Sequence, residues 1–233
     1  MEEIKWKYTK ERPLRVFESF AGYGSQALAL KYLGIPYSVV GISEIEENAI
    51  KAYMAIHGET KNYGDISKID WAQVPDFDLF TYSFPCTDLS QAGKMLGFEE
   101  GSGTRSSLLW ECKKAIDIKK PKYLMLENVK SLTSEKFLPG YKKWVHYLYE
   151  QGYTSFAQVI DSSKMGIPQH RERIFVVSIL GEAWYSFPQP QELKLKLKDM
   201  LEDKVDEKYY LDDKKVAEFI GTLEKDKIKK ICE

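Results

Sequence analysis

Ser83-Phe84-Pro85-Cys86 places a thiol directly after a proline, at the end of a run of strand formers from Phe77 to Tyr82. Proline fixes its own φ and donates no N–H, so a sheet ladder stops there. Cys86 is then expected on a rigid turn at a strand's C-terminal edge, beside a loop of glycine and small polar residues from Ser90 to Ser107. An activated thiol there is a nucleophile; a cysteine inside a core is only a small apolar side chain. A second apolar run, Lys122 to Leu126, ends in Glu127-Asn128-Val129. A carboxylate straight after a buried run is expected at low dielectric, where the protonated form is favoured, and at the Cys86 edge it would be a general acid. The alternative is a cap for the turn at Lys130-Ser131. In the stretch Met165 to Arg173, Arg171 and Arg173 stand two apart at a strand's start and so point the same way. They are forks for a carbonyl oxygen and a phosphate or carboxylate, or else a solvated charge pair with Glu172. His170 falls on the other face, as a structural or solvent-facing residue.

The elements that must hold these groups follow from the apolar pattern. Leu14 to Phe20 reads as a first strand and ends in Ala21-Gly22-Tyr23-Gly24-Ser25. A helix follows from Gln26 to Leu33, stopped by Gly34-Ile35-Pro36, and a second strand, Tyr37 to Ile42, reaches Ser43-Glu44. Gly22, Gly24 and Ala27 make a G-x-G-x-x-A turn, with an acid about twenty positions further on, the offset of a dinucleotide-type site. Glycines let a ligand approach the backbone, and Glu44 would hold ribose hydroxyls or, failing that, cap the next helix. That helix runs from Ile45 to His57. Asp65, in Gly64-Asp65-Ile66, is either the tip of a third strand, accepting from an adenine amino group, or a turn cap. Further strands are expected over Asp78–Ser83, Thr154–Asp161 and Arg173–Ile179, and helices over Ser106–Ile118 and Pro139–Gln151.

The chain has 233 residues, 43% hydrophobic and 13% aromatic, enough for one sizeable domain with an appendage. No apolar run approaches a membrane span, and Met1 to Arg12 is too charged for a signal peptide. Cys86, Cys112 and Cys232 are widely spaced and odd in number, against a disulfide framework or a metal cluster and in favour of a reducing compartment, the cytoplasm. The formal net charge of −1 lacks the whole-domain basic balance of a nucleic-acid binder, so DNA contact would come from local patches or a partner. Three segments are expected: an arm over 1–13, a catalytic domain over 14–190, and a charged linker or helical appendage over 191–233, helical near Leu195–Leu201 and Asp213–Leu223.

Phe20-Ala21-Gly22-Tyr23-Gly24, Pro85-Cys86, Glu127-Asn128-Val129 and Gln169-x-Arg171-x-Arg173 stand in the order and spacing of the DNA (cytosine-5) methyltransferases. Gly64-Asp65-Ile66 and Gly103-Thr104 also match. The sequence resembles that family from about Leu14 to Gly181. The resemblance implies a Rossmann-like α/β fold, a mostly parallel sheet with helices on both faces. It implies S-adenosylmethionine, leaving as S-adenosylhomocysteine, in a pocket formed by Phe20, Ala21, Gly22, Tyr23, Gly24, Ser25, Glu44, Ile45, Asp65, Ile66 and Pro85. Cys86 would add to carbon 6 of a cytosine flipped out of double-stranded DNA, Glu127 would bond ring nitrogen 3, and Arg173 would hold the base carbonyl with Arg171 and Gln169 in support. Ser90, Thr104 and Asn128 would support the closing loop. No metal is implied.

Two departures shape the expectation. Thr87 stands where the family usually carries glutamine, which bears on loop contacts. The family's target-recognition domain and its closing Asn-x-Val segment have no counterpart, the last asparagine being Asn128. The leading expectation is therefore a prokaryotic or phage-encoded catalytic subunit whose recognition domain sits on a second polypeptide. A truncated, non-catalytic member that binds cofactor or partner is the alternative. An RNA substrate, as in the family's tRNA-modifying branch, and an NAD-dependent oxidoreductase are remote ones.

Overall fold

The structure, a computed structural model, describes residues 8–87, 89 and 96–222. Among the described residues six strands form one sheet: β1 (Leu14–Ser19), β2 (Tyr37–Ser43), β3 (Leu79–Tyr82), β4 (Tyr123–Val129), β5 (Tyr153–Asp161) and β6 (Glu172–Leu180), in the order β2-β1-β3-β4-β6-β5. All pairings are parallel except those of β6, which runs against both β4 and β5. The helices are α1 (Ser25–Tyr32), α2 (Glu47–His57), α3 (Cys112–Lys119), α4 (Leu138–Glu150) and α5 (Asp213–Thr222). The β1–α1–β2 crossover steps one way along the sheet and β3–α3–β4 the other. Right-handed crossovers therefore put α1 and α3 on opposite faces.

The larger core lies on the α3–α4 side. Phe17 meets Trp71 at 5.0 Å, Phe80 stacks on Tyr82 at 5.2 Å, and Tyr82 meets Trp144 of α4 at 5.9 Å. Each such ring pair adds about 0.5–1.5 kcal/mol beyond its buried area. On β4, Leu124, Leu126 and Asn128 are buried while Met125 and Glu127 face the half-open α1 side.

Four expectations differ. No strand forms at Asp65: Asn62 makes an isolated bridge to Ile42, its side chain bonds Glu44 and Gly64, and Gly64 turns the chain at φ +71°. Asp65 then caps a 3-10 turn over Ile66–Lys68. The expected helix from Ser106 begins as a 3-10 helix, Arg105–Glu111, capped by Thr104, and becomes α-helical only at Cys112. The arm is not wholly loose, because Tyr8 is buried against Leu14, Val16 and Tyr123. Near Leu195–Leu201 only a 3-10 turn, Leu197–Met200, forms. Residues 191–217 are exposed throughout. Among the described residues no helix is long and apolar enough to cross a membrane. Residues 1–7 of the arm, Ser90, the rest of its loop through 95, and 223–233 lie outside the described residues.

Candidate active site

The chain reverses its direction of travel across the sheet between β1 and β3, and in open α/β sheets ligands bind at the carboxyl edge of such a switch point. Two loops leave that edge side by side. After β1 comes the glycine turn, in which Phe20, Gly22 and Gly24 take φ of 56°, 56° and 80°. After β3 comes Ser83-Phe84-Pro85-Cys86, joined to the first by Gln26 Nε2 donating to Ser83 Oγ at 3.2 Å.

Glu44, at the tip of β2, organises the glycine turn. Its Oε2 accepts the Gly22 N–H at 2.9 Å, and its Oε1 accepts from Ile45 at 2.8 Å and Glu46 at 2.9 Å. The cap of α2 is Glu46, which accepts from Ala49 N. Phe20, Glu44, Ile45, Asp65, Ile66 and Pro85 share one pocket of about 210 Å³, with Arg105, which the sequence reading did not single out. A Cβ at Gly22 would meet nothing within 4 Å, so a ligand can come against this backbone. Ala21 is buried, and its carbonyl accepts the Gly24 N–H at 2.8 Å. Tyr23 and Ser25 face a neighbouring cleft of about 510 Å³.

That second cleft holds the ionic groups. Glu127 Oε1 lies 3.1 Å from Arg173 Nε, and Arg171 lines the same space. Arg173 also donates through Nη1 to the Glu172 carbonyl at 2.8 Å. Strand alternation turns Glu127 to the α1 side, where it is a quarter exposed and ion-paired with Arg173. Glu172 pairs with Lys130 at 2.9 Å rather than with the arginines. A third cleft, of about 660 Å³, continues outward past Lys130, Ser131, Gln169, Arg171 and Arg173.

Cys86 is half-exposed on a turn held from both sides. Asn128 Nδ2 donates to the Phe84 carbonyl at 3.0 Å, and Ser106 Oγ to the Pro85 carbonyl at 2.6 Å. Cys86 and Glu127 therefore leave the same edge on adjacent, cross-linked strand ends. Thr104 Oγ1 donates to the Gly97 carbonyl at 3.0 Å and accepts from Ser107 N, tying residues 97–107 together.

Sequence reasoning missed the cluster beneath the glycine turn. Glu18 is fully buried in β1, accepting from Tyr53 Oη at 2.6 Å and from the Ala27 N–H at 3.1 Å. Burial raises its pKa above the ordinary glutamate value, against the lowering pull of those bonds and of His57. His57 Nε2 sits 3.0 Å from the Tyr23 carbonyl. The one signal available was Glu18 standing directly after Val16-Phe17 in a mostly apolar strand.

A family model described as C-5 cytosine-specific DNA methylase matches residues 14–230. The type II methyltransferase M2.ScrFI of Lactococcus lactis subsp. cremoris is 42% identical over 88% of this chain and 72% of its own length. The orphan methyltransferase M.Rho11sI of Bacillus phage rho11s is 33% identical over 94% of this chain, which spans 49% of that relative. Among solved structures, the Dnmt2 methyltransferase of S. pombe superposes with a TM-score of 0.72 at 22% identity, over 89% of this chain and 66% of that one. The Entamoeba histolytica methyltransferase EhMeth gives 0.71 at 21%, over 85% and 63%. At those identities the structural likeness is one of fold.

Proposed function

The chain belongs to the C-5 cytosine-specific DNA methylase family, and from that premise we propose that it methylates carbon 5 of a cytosine flipped out of double-stranded DNA. The observation that carries the reading is the Glu127–Arg173 pair at 3.1 Å, on the strand edge that also presents Pro85-Cys86. A thiol, a carboxylate and a guanidinium at one edge are what a cytosine ring needs to be made reactive.

In this reading Phe20, Asp65, Ile66 and Pro85 would hold the adenine of S-adenosylmethionine and Glu44 its ribose. Bound there, it supplies an electrophilic sulfonium methyl group. The chain's residues do the rest. The Cys86 thiolate forms a bond to carbon 6, pushing the ring's electron pair toward carbon 5. Glu127 holds a proton at ring nitrogen 3, and Arg173 bonds the base carbonyl, with Arg171 and Gln169 in support; together they hold the charge that develops. Carbon 5, made electron-rich, would take the methyl group as its bond to the sulfonium breaks and S-adenosylhomocysteine leaves. Loss of the carbon-5 proton to solvent then re-forms the ring double bond and expels the Cys86 thiolate. Flipping the base costs a few kcal/mol, recovered by these contacts.

The reading assigns catalysis to residues 14–190 and target recognition to a second polypeptide. What supports a partner is the exposed run after Gln191: Leu197, Leu201, Tyr209 and Leu211 are each more than 60% exposed, apolar surface that a neighbour would cover. A free thiol nucleophile suits the reducing cytoplasm.

The test is transfer of labelled methyl from S-adenosylmethionine to mixed-sequence DNA, by this chain alone and with the product of the adjacent reading frame. Transfer only on addition is expected. Transfer by the chain alone would keep the chemistry and remove the partner. Cofactor binding without transfer in either arm would make it a non-catalytic relative.

A further inference from the structure

We propose that Asp161 is a positioning residue that sets the register of the arginine pair, a role that rests on the function just assigned to Arg173. Asp161 ends β5, and β6 begins at Glu172. Its Oδ1 accepts the Ser163 N–H at 3.0 Å and the Arg171 N–H at 3.1 Å, and its Oδ2 lies 3.2 Å from His170 Nδ1. One carboxylate thus grips the strand end that leaves and the strand that returns. Ser162 N closes the same loop onto the Arg171 carbonyl at 3.1 Å. These bonds, the one to Ser163 first, hold the Asp161 carboxyl well below the usual carboxylate range.

An aspartate that merely caps the 3-10 turn Ser162–Lys164 needs only the Ser163 contact. The bond to Arg171 is the surplus, and it lies two residues from Arg173. Opposite it, the ladder pairs Asp161 with Glu172 and Ile160 with Arg173. A slip of one residue in such a hairpin turns every side chain to the other face. Arg173 would then leave Glu127, and Arg171 would leave the cleft they share.

Two variants of the full chain separate the roles. Asp161→Ser keeps a short oxygen for the Ser163 turn but cannot span to Arg171. Asp161→Asn keeps a carbonyl oxygen for both amides. Nuclear magnetic resonance reads the Ser163 and Arg171 amide protection and the Arg173 Nε–H signal, with Glu127→Gln marking the unpaired position of that signal. In Asp161→Ser the Ser163 amide is expected to stay protected. The Arg171 amide should lose protection about tenfold or more, and the Arg173 signal should move to the unpaired position. Asp161→Asn should restore both. An Arg173 signal unmoved in the serine variant, or lost in the asparagine variant, overturns the proposal. None of these readouts needs methyl transfer, so failure of the assigned reaction would be seen separately. In the active enzyme the serine variant should lower kcat with the KM for S-adenosylmethionine unchanged.

Discussion

Glu18 and Glu127 are both strand residues, yet their surroundings give them opposite work. Glu127 faces the cleft and an arginine; Glu18 faces Tyr53 and the start of α1 with no exposure at all. Because burial raises the folded-state pKa of Glu18, the folded chain binds that proton more tightly than the unfolded one. Its contribution is fully present below the ordinary glutamate value and is lost as pH rises from there through the raised one. Glu18→Gln, which keeps an acceptor for both donors, should remove that loss. The stability difference between wild type and variant in urea melts should therefore shift toward the variant as pH rises; a constant difference would contradict the assignment. At the catalytic edge, Cys86→Ser should abolish methyl transfer while leaving S-adenosylmethionine affinity unchanged by calorimetry. Arg173→Lys replaces a planar fork by a point charge and should lower kcat about tenfold or more.

The two glycines of the first turn separate a stability role from a binding role. Gly24 sits at φ +80°, and a Cβ there would stand 2.4 Å from His57 Nε2 and 2.5 Å from the Tyr53 ring. Gly24→Ala should cost about 2–4 kcal/mol from left-handed strain plus overpacking. Gly22 at φ +56° has open space instead, so Gly22→Ala should cost only about 1 kcal/mol, yet put a methyl where the proposed function would bring the cofactor. Thermal melts and cofactor titration should rank the two variants in opposite orders. The elements themselves were legible where local pattern decides: the β1–turn–α1–β2 unit, the strand stopped by Pro85, and the β5–β6 pair all carry their signal within a few residues. The missing strand at Asp65 was not, because Asn62 settles that turn through bonds to Glu44, a residue far back in the chain. Glu127 was placed at the edge where it stands, but its pairing with Arg173 was not legible, since that partner lies on β6. Glu18 with Tyr53, and Asp161 with Arg171, join residues from separate elements or opposite ends of a loop, and no spacing rule reaches them.

Across the whole molecule, the formal net charge of −1 means that, under the proposed function, the basic side chains of the clefts would be the electrostatic footprint for DNA. Of these, Lys130 and Arg173 are already paired with carboxylates, so few counterions remain to be released. Binding of mixed-sequence DNA by this chain should show a slope of log K against log salt of about −1 to −3. Anisotropy titrations giving a much steeper slope would mean a larger basic surface than these clefts provide. The exposed apolar side chains after Gln191 should become protected from solvent only when a partner is added.

Addition of Cys86 to the cytosine ring can be trapped with a duplex carrying 5-fluorodeoxycytidine. Fluorine at carbon 5 blocks the final elimination, so the adduct accumulates once methyl has been transferred. Incubated with S-adenosylmethionine, and with the partner where transfer requires it, the chain should form a denaturation-resistant complex. Peptide mass analysis should then place the nucleotide on Cys86, and Cys86→Ser should give no complex. An adduct on another residue, or methylation of ordinary cytosine by Cys86→Ser at the wild-type rate, would contradict the account.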